Sequence, residues 1–227
     1  QIRRNTLHAI IGPNGAGKTT FFNLLSGNLK PTSGKVFYDG ADITGQPIHR
    51  MIHLGIGRSF QITNVFPNLT VFENIRLATQ AMEKGNYRFF MDASNLKRCE
   101  ERAMEVAAKV GLYEKILTPA RMLPHGDQRK LELGMILAPD PAVLLLDEPT
   151  AGMAAEQVPE LISLIREVQA DGNKTVVLVE HNMNVVMSIS DTITVMNLGK
   201  KLAEGTPEEI TKNKEVQTAY LGGLYEL

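Results

Sequence analysis

Short apolar runs, separated by stretches of helical period, dominate the hydrophobic pattern of the chain. Runs of strand length lie at residues 6–11, Val143–Asp147 and 175–180. Residues 156–170, between the second and third runs, have apolar positions at the 3.6-residue spacing of an amphipathic helix. This β-α-β order predicts parallel strands that are buried on both faces.

Spacing and capping signals predict the remaining elements. These are a helix at Lys18–Leu25, a hairpin within 34–44, a strand at 56–60, a helix from Thr70 to about Ala81, an amphipathic helix at 96–110, and a short helix after the capping box of Thr206 and Glu209. We expect one α/β domain over residues 1–227, with a mostly parallel sheet flanked by helices. A helical subdomain is expected as an insert at roughly residues 70–138.

A glycine-rich phosphate motif follows the first strand. It consists of Gly12, Pro13, Asn14, Gly15, Ala16, Gly17, Lys18 and Thr19, and the next residue, Thr20, completes the predicted nucleotide-binding set. Glycines let backbone N–H groups approach phosphate oxygens, and the following helix adds positive potential at its N-terminus. Lys18 can pair with the β- and γ-phosphates, and the Thr19 hydroxyl can bind Mg²⁺. The alternative is a glycine-rich turn without a ligand, which the strand before it and the helix after it disfavour.

Two acidic residues follow the apolar run at residues 142–146, at the end of a buried strand, where open α/β sheets bind ligands. Asp147 would hold Mg²⁺ directly or through water, because a hard cation prefers carboxylate oxygen. Glu148 would polarise the water that attacks the γ-phosphate. The alternative is an ordinary acidic turn. The phosphate motif upstream favours the catalytic interpretation and predicts a P-loop NTPase core that binds ATP and Mg²⁺.

Together these motifs resemble those of the ABC-type ATPases, and the resemblance covers essentially the whole chain. It implies that Gln61 is the Q-loop glutamine, which reaches Mg²⁺ and the attacking water and couples them to membrane subunits. It also implies that His181, after the strand at 175–180, is the switch histidine that contacts the γ-phosphate. Taken alone, each would be an ordinary polar loop residue; their order along the chain supports the functional interpretation.

The loop of Leu123, Pro124, His125, Gly126 and Asp127 stands where this family carries its LSGGQ signature. The resemblance implies that the loop contacts ATP bound to a second ABC ATPase subunit, so that a homodimer or heterodimer forms. Pro124 replaces the serine and His125 a glycine. A helix-capping loop without a ligand remains the alternative.

Several local segments resemble more narrowly the ATPases that drive import of branched-chain amino acids. These segments are residues 57–61, 64–67, 69–71, 125–133, 147–153 and 219–222. The resemblance implies a peripheral subunit at the cytoplasmic face of a bacterial inner membrane. Its partners would be integral membrane permease subunits and, indirectly, a solute-binding protein. The aromatic cluster of Tyr87, Phe89 and Phe90 fits docking on the permease and local packing equally well.

Two departures from the family pattern stand out. Only eleven residues precede Gly12, and none is aromatic, whereas the family carries N-terminal strands with an aromatic residue that stacks on adenine. We therefore count those strands as missing and assign no adenine-stacking residue. Ala154 stands where many relatives place an aspartate that crosses the dimer interface.

Composition limits the other classes of function. Lys and Arg total 24 against 25 Asp and Glu, and this balance argues against a nucleic-acid partner. Cys99 is the only cysteine, and no apolar run reaches the about 18 residues of a membrane helix, so we expect a soluble cytosolic chain. DNA-repair and translation ATPases carry long insertions or fused domains that 227 residues do not accommodate. An ATPase for urea, for another polar solute or for lipid export remains possible, as does a nucleotide-sensing module without transport.

Overall fold

The computed structural model describes residues 1–59, 65–81 and 93–221. The strands within these ranges are β1 (Leu7–Ile11), β2 (Phe37–Tyr38), β3 (Ala41–Asp42), β4 (Ile56–Arg58), β5 (Val143–Asp147), β6 (Thr175–Val179), β7 (Thr192–Asn197) and β8 (Lys200–Gly205). The helices are α1 (Lys18–Leu25), α2 (Ile48–Met51), α3 (Val71–Gln80), α4 (Ala93–Lys109), α5 (His125–Leu137), α6 (Val158–Asp171), α7 (Met183–Ile189), α8 (Pro207–Lys212) and α9 (Lys214–Val216). Short 3₁₀ turns lie at Ile52–Leu54, Tyr113–Lys115 and Ala120–Met122, and a π-helical turn follows α9 at Gln217–Leu221.

Six strands form the main sheet in the order β4-β5-β6-β1-β7-β8. All neighbouring pairs are parallel except β7 and β8, which are antiparallel. The strands β2 and β3 form a separate antiparallel hairpin around Asp39 and Gly40, within the range 34–44 where a hairpin was expected. The α/β fold with a mostly parallel sheet, expected from the apolar runs, is therefore confirmed.

The register of the central strands aligns their carboxyl ends. Ile10 of β1 lies opposite Val179 of β6, and Val179 lies opposite Asp147 of β5. Because these strands are parallel, the loops that follow them all leave from the same edge of the sheet. The phosphate motif, the acidic pair and His181 are therefore brought to one edge by strand pairing alone.

Alternation along the strands divides the core between the two faces of the sheet. Leu144 and Leu146 of β5 pack in a cluster with apolar side chains of α5 and α6. Leu145 points to the other face and packs in a cluster with Phe22 of α1, which is fully buried. Both faces of the sheet are thus covered, which explains why β5 is apolar at every position before Asp147.

Most predicted boundaries agree with the structure to within a residue or two. The helix α1 and the strand β5 have the predicted limits, β1 begins one residue later, and α6 is displaced slightly towards the C-terminus. The expected strand at 56–60 is observed as Ile56–Arg58, and its last predicted residue lies outside the described ranges. The predicted capping box of Thr206 and Glu209 is present at α8, and α3 begins with a capping box of Thr70 and Glu73. The hairpin of β7 and β8 was not predicted.

Within the described part of the segment between β4 and β5, the chain forms three α-helices, α3, α4 and α5. The division into a core and a helical subdomain at roughly residues 70–138 stays a prediction. Within the described ranges, no helix combines the length and apolar character needed to cross a bilayer. The aromatic cluster of Tyr87, Phe89 and Phe90 lies outside those ranges.

Asn74 of α3 organises the segment that leads into this helix. Its side chain is fully buried, and its Oδ1 accepts the Phe66 N–H at 2.7 Å. Its amide NH₂ donates to the carbonyl oxygens of Phe66, Leu69 and Thr70 at 2.9–3.2 Å. A buried side chain that both accepts and donates in this way cannot be replaced by a group that only accepts.

We expect Asn74→Asp to lower the free energy of unfolding by about 3 kcal/mol, because a buried carboxylate would then face three carbonyl oxygens. Denaturant titration of the purified chain measures the change. The matched control is Asn184→Asp on the exposed face of α7, which should change the free energy by less than about 1 kcal/mol. Equal unfolding midpoints for the two variants would contradict the assigned role of Asn74.

Candidate nucleotide-binding and hydrolysis site

The phosphate loop connects β1 to α1 and rests on the end of β7. Gly15 and Gly17 have φ angles of 79° and 94°, which side chains disfavour. A Cβ at Gly12 would lie 2.2 Å from the carbonyl oxygen of Met196, so only glycine fits there. The Gly199 N–H donates to the Ala16 carbonyl at 3.0 Å. The turn between β7 and β8 therefore packs against the phosphate loop and supports it. Sequence patterns did not reveal this contact.

Lys18 lies folded back over this loop. Its side-chain Nζ donates to the carbonyl oxygens of Gly12 at 2.7 Å and Pro13 at 3.1 Å. Burial lowers the pKa of Lys18, and the nearby charges of Glu148 and Asp147 oppose that shift. The predicted binding residues around it differ in exposure: Ala16 is buried and Pro13 partly buried, whereas Asn14, Gly15, Thr19 and Thr20 are exposed.

Asp147 ends β5 as a nearly fully buried carboxylate, with 3% of the residue exposed. Burial raises the pKa of Asp147, whereas the Arg58 guanidinium, 3.9 Å away, and the charges of His181 and Lys18 lower it. The Asp147 backbone N–H donates to the Ser59 Oγ at 2.8 Å. A buried carboxylate in this environment can bind a cation strongly if the cation approaches from the edge of the sheet where the loops leave.

Glu148 and His181 meet directly. The Nε2 atom of His181 lies 2.9 Å from the Oε1 atom of Glu148. Glu148 adopts a φ of 48°, unusual for a side-chain-bearing residue, and its N–H donates to the Val179 carbonyl at 2.8 Å. This backbone geometry places the Glu148 carboxylate next to the loop that follows β6. The two predicted catalytic residues therefore lie in one hydrogen-bonded pair.

The Leu123–Asp127 loop leads into α5, which begins at His125. Leu123 is buried, and the N-cap residue Pro124 provides no side-chain hydrogen bond to the first turn. The exposed His125 ring lies beside the loop after the acidic pair: a Cβ added at Gly152 would lie 3.3 Å from the His125 Cε1. The helix N-terminus lacks a capping side chain, so its first N–H groups can donate to an anion, while the Asp127 carboxylate in the first turn offsets part of its positive potential.

Asp127, the last residue of this loop, is held by lysines. Its carboxylate forms an ion pair with Lys115 and lies 3.6 Å from Lys130 Nζ. Lys130 also contacts Glu160 of α6 at 2.5 Å. Nearby, Arg129 donates to the Ala151 carbonyl at 3.1 Å. The loop is thereby fixed to α6 and to the segment that follows Glu148.

Sequence reasoning missed two residues that build the site. Arg58 donates to Ser26 Oγ and to Asn23 Oδ1 of α1, the latter at 2.6 Å, and it also stacks 5.2 Å above the Phe22 ring. It therefore connects α1 to Asp147. Glu180 is buried, with 3% exposed, immediately before His181. The available signal was the same in both: a charged residue at the end of a buried strand, where burial demands partners.

Gln61, the predicted third member of the catalytic and Mg²⁺-binding set, lies outside the described residues. Among the described residues, no group of three or more His, Cys, Asp or Glu side chains could hold a metal ion by itself. The buried Asp147 carboxylate and the exposed Thr19 hydroxyl are hard oxygen donors, which fit a Mg²⁺ ion that takes its other ligands from phosphates and water.

A phosphate loop, an acidic pair and a histidine at one edge of a mostly parallel sheet are the features expected of an ATP-binding cassette ATPase. Comparison with known families agrees: the ABC transporter family profile matches residues 1–151. The chain belongs to this ABC transporter family. A second profile, described as the branched-chain amino acid ATP-binding cassette transporter, matches residues 200–225.

Curated relatives are similar over nearly the whole chain. The high-affinity branched-chain amino acid transport ATP-binding protein LivG of Salmonella typhimurium is 40% identical, and the match covers 98% of this chain and 89% of LivG. The protein of the same description named BraF, from Pseudomonas aeruginosa, has the same identity and coverage. The resemblance to ATPases of branched-chain amino acid importers is therefore confirmed.

Solved structures show the same fold. The ADP conformation of an ATP-binding cassette of an ABC transporter superposes with a TM-score of 0.83 and 27% identity, covering 97% of this chain and 89% of that one. A dimeric ATP-binding cassette in a post-hydrolysis state, bound to ADP and Pi, gives 0.75 and 26%, covering 91% and 88%. Dimers are thus found among the structural relatives.

We expect Lys18→Ala to weaken ATP binding about 10- to 100-fold, because it removes the cationic donor aimed at the phosphates but keeps the backbone loop. Calorimetry with ATP and magnesium measures the affinity. Lys212→Ala, at an exposed position of α8, is the control and should bind ATP like the parent chain. Equal affinity for the Lys18 variant would refute the assigned phosphate loop.

Proposed function

We propose that this chain is the ATP-hydrolysing, energy-coupling subunit of a membrane transporter that imports branched-chain or other hydrophobic amino acids. The observation that carries the ATPase assignment is the hydrogen-bonded pair of Glu148 and His181 beside Asp147. The names of the curated relatives and the C-terminal profile match support the solute class.

In this proposal the loop from Gly12 to Thr20 binds the phosphates of ATP. Lys18 neutralises the β- and γ-phosphates. Thr19, Asp147 and the predicted Gln61 hold Mg²⁺, which supplies charge neutralisation to the phosphates when it is bound. The raised pKa of the buried Asp147 supports this role, because a carboxylate short of solvent gains most from a cation.

Glu148 is the residue that polarises the attacking water. Its carboxylate is partly exposed, so it can reach water, and its bond to His181 fixes its direction. His181, which is more exposed, contacts the γ-phosphate from the neighbouring loop. Polarisation of water by a positioned base contributes a rate factor of about 10²–10⁴.

The Leu123–Asp127 loop acts on the ATP of a second ABC ATPase subunit. The uncapped start of α5 and the ion pairs that fix Asp127 support a preorganised anion site. A dimeric cassette among the structural relatives supports the arrangement. Two nucleotides would then lie between two subunits, and hydrolysis would release the dimer.

The assembled protein would consist of two such ATPases, integral membrane permease subunits and, at a distance, a solute-binding protein. Its place would be the cytoplasmic face of a bacterial inner membrane. The kinship with LivG and BraF supports these partners, because both are named as ATP-binding proteins of amino acid transport.

We expect Glu148→Gln to trap the dimer. Glutamine keeps the shape of the side chain but loses the charge that polarises water, so closure around ATP occurs and hydrolysis falls at least about 100-fold. Size-exclusion chromatography should show a dimer in ATP and monomers in ADP, because only ATP bridges the subunits. If the native dimer pairs this chain with a paralogue, that paralogue is added to the chromatography sample. A variant that remains monomeric with saturating ATP and each candidate partner would contradict the interfacial mechanism.

The solute assignment is tested with the complete transporter. We expect the chain to co-purify with its permease subunits and to drive ATP-dependent leucine or isoleucine uptake into proteoliposomes that contain the solute-binding protein. Glu148→Gln in the same assembly should abolish uptake without dissociating the subunits. Uptake of urea, or outward movement of lipid, in place of amino acids would contradict the proposed solute.

A further inference from the structure

Glu180 is a buried carboxylate that the roles above do not use. It follows the last residue of β6 and precedes His181, and 3% of the residue is exposed. A charged group in this environment is stable only when hydrogen-bond donors surround it. The identity of those donors therefore indicates what the carboxylate does.

The two oxygens of Glu180 bind two different loops. Oε1 accepts hydrogen bonds from the Thr150 N–H at 3.0 Å and from the Thr150 hydroxyl at 2.5 Å. Oε2 accepts from the backbone N–H groups of His181 at 3.0 Å and Asn182 at 3.3 Å. One carboxylate thus joins the loop after β5 to the loop after β6.

These loops carry the proposed catalytic pair. Thr150 lies two residues after Glu148, within a turn closed by the Ala151 N–H on the Glu148 carbonyl at 3.0 Å. The side chains of Glu148 and His181 meet at 2.9 Å. The chain segments and hydrogen bonds therefore form a closed ring that runs from Glu148 through Thr150 and Glu180 to His181 and back to Glu148.

We propose that Glu180 is a positioning residue, which sets the distance between Glu148 and His181 by holding both of their loops through one carboxylate. This inference rests on the proposed roles of Glu148 and His181. Its physical basis is the donor set: four donors surround two oxygens, so both oxygens must accept. A neutral amide would direct its NH₂ at one of the loops and release that loop.

The alternative is that Glu180 only satisfies the buried ends of two loops and stabilises the fold. Stability and catalysis would then change together, and the His181 ring would keep its bond to Glu148. The positioning role predicts instead a change at the His181 ring and in turnover, with nucleotide affinity preserved, because the phosphate loop belongs to a different strand.

The test substitutes Glu180→Gln in the full chain. In the nucleotide-free protein, ¹⁵N NMR of the His181 ring, assigned with His181→Ala, should show a changed ring-nitrogen shift as the bond to Glu148 is lost. In the assembled transporter, kcat for ATP should fall about 10- to 100-fold, the loss that a small misplacement of a catalytic group causes. The Kd for ATP should stay within twofold of the parent value.

The matched control is Glu73→Gln in α3. The Glu73 carboxylate also accepts from the N–H and hydroxyl of one threonine, Thr70, at 2.8 and 2.9 Å, but it lies in a helix cap rather than between the nucleotide loops. The Glu73→Gln variant should have the same kcat and the same His181 ring-nitrogen signals as the parent chain. A second variant, Thr150→Val, removes one donor and keeps the Glu180 charge. It provides the measurement if Glu180→Gln does not fold, and we expect it to change the His181 ring-nitrogen shift less than Glu180→Gln would.

Unchanged His181 signals in folded Glu180→Gln, or in Thr150→Val if Glu180→Gln does not fold, would overturn the proposal, whatever the turnover. A changed His181 signal with parent-like kcat would overturn it as well. The proposed roles of the catalytic pair are tested separately, since full turnover in Glu148→Gln and His181→Ala would refute them. The ring-nitrogen measurement would still report whether Glu180 holds the loops together.

Discussion

Parallel pairing of β1, β5 and β6 is the constraint on which the site depends. Ile10, Val179 and Asp147 lie in one row across the sheet, so the residues that follow them emerge side by side. Chain segments far apart in sequence thereby meet without any long loop. The positive φ of Glu148 then directs its backbone N–H to the neighbouring strand end and leaves its carboxylate within reach of His181. Strand register thus determines which side chains can cooperate.

Electrostatic balance is the second determinant of the site. Asp147 and Lys18 are both buried, and burial moves their pKa values in directions that favour the uncharged forms. Nearby charges of the opposite sign oppose each of these pKa shifts. For Asp147, the largest opposing effect comes from Arg58. Removal of any one charge would therefore leave the others in an environment that no longer supports them, which makes the group a unit rather than a set of independent residues.

Much of this arrangement could be predicted from sequence, because the signals are local. The glycines before Lys18 and the apolar run before Asp147 each determine a short segment by themselves, and the observed α1 and β5 match the predictions. Arg58 and Glu180 could not be assigned in the same way. The bonds of Arg58 to Ser26 and Asn23, and the bond of Glu180 to Thr150, each span 30 or more residues, so no spacing rule points to these contacts. The hairpin of β7 and β8 was also not predicted, although β7 alternates between polar and buried apolar residues. Its importance comes from contact with the phosphate loop, which no local pattern reveals.

The contact between the β7–β8 hairpin and the phosphate loop links one edge of the sheet to the predicted nucleotide site. Because the backbone of Gly12 packs closely against the Met196 carbonyl, the position of the phosphate loop is coupled to that of β7. The antiparallel partner β8 holds β7 in place, and the register between them is irregular at Val195 and Met196, beside that same carbonyl. Side chains of this outer hairpin that lie away from the phosphate loop therefore still contribute to its position, through the backbone contacts at Met196 and Gly199.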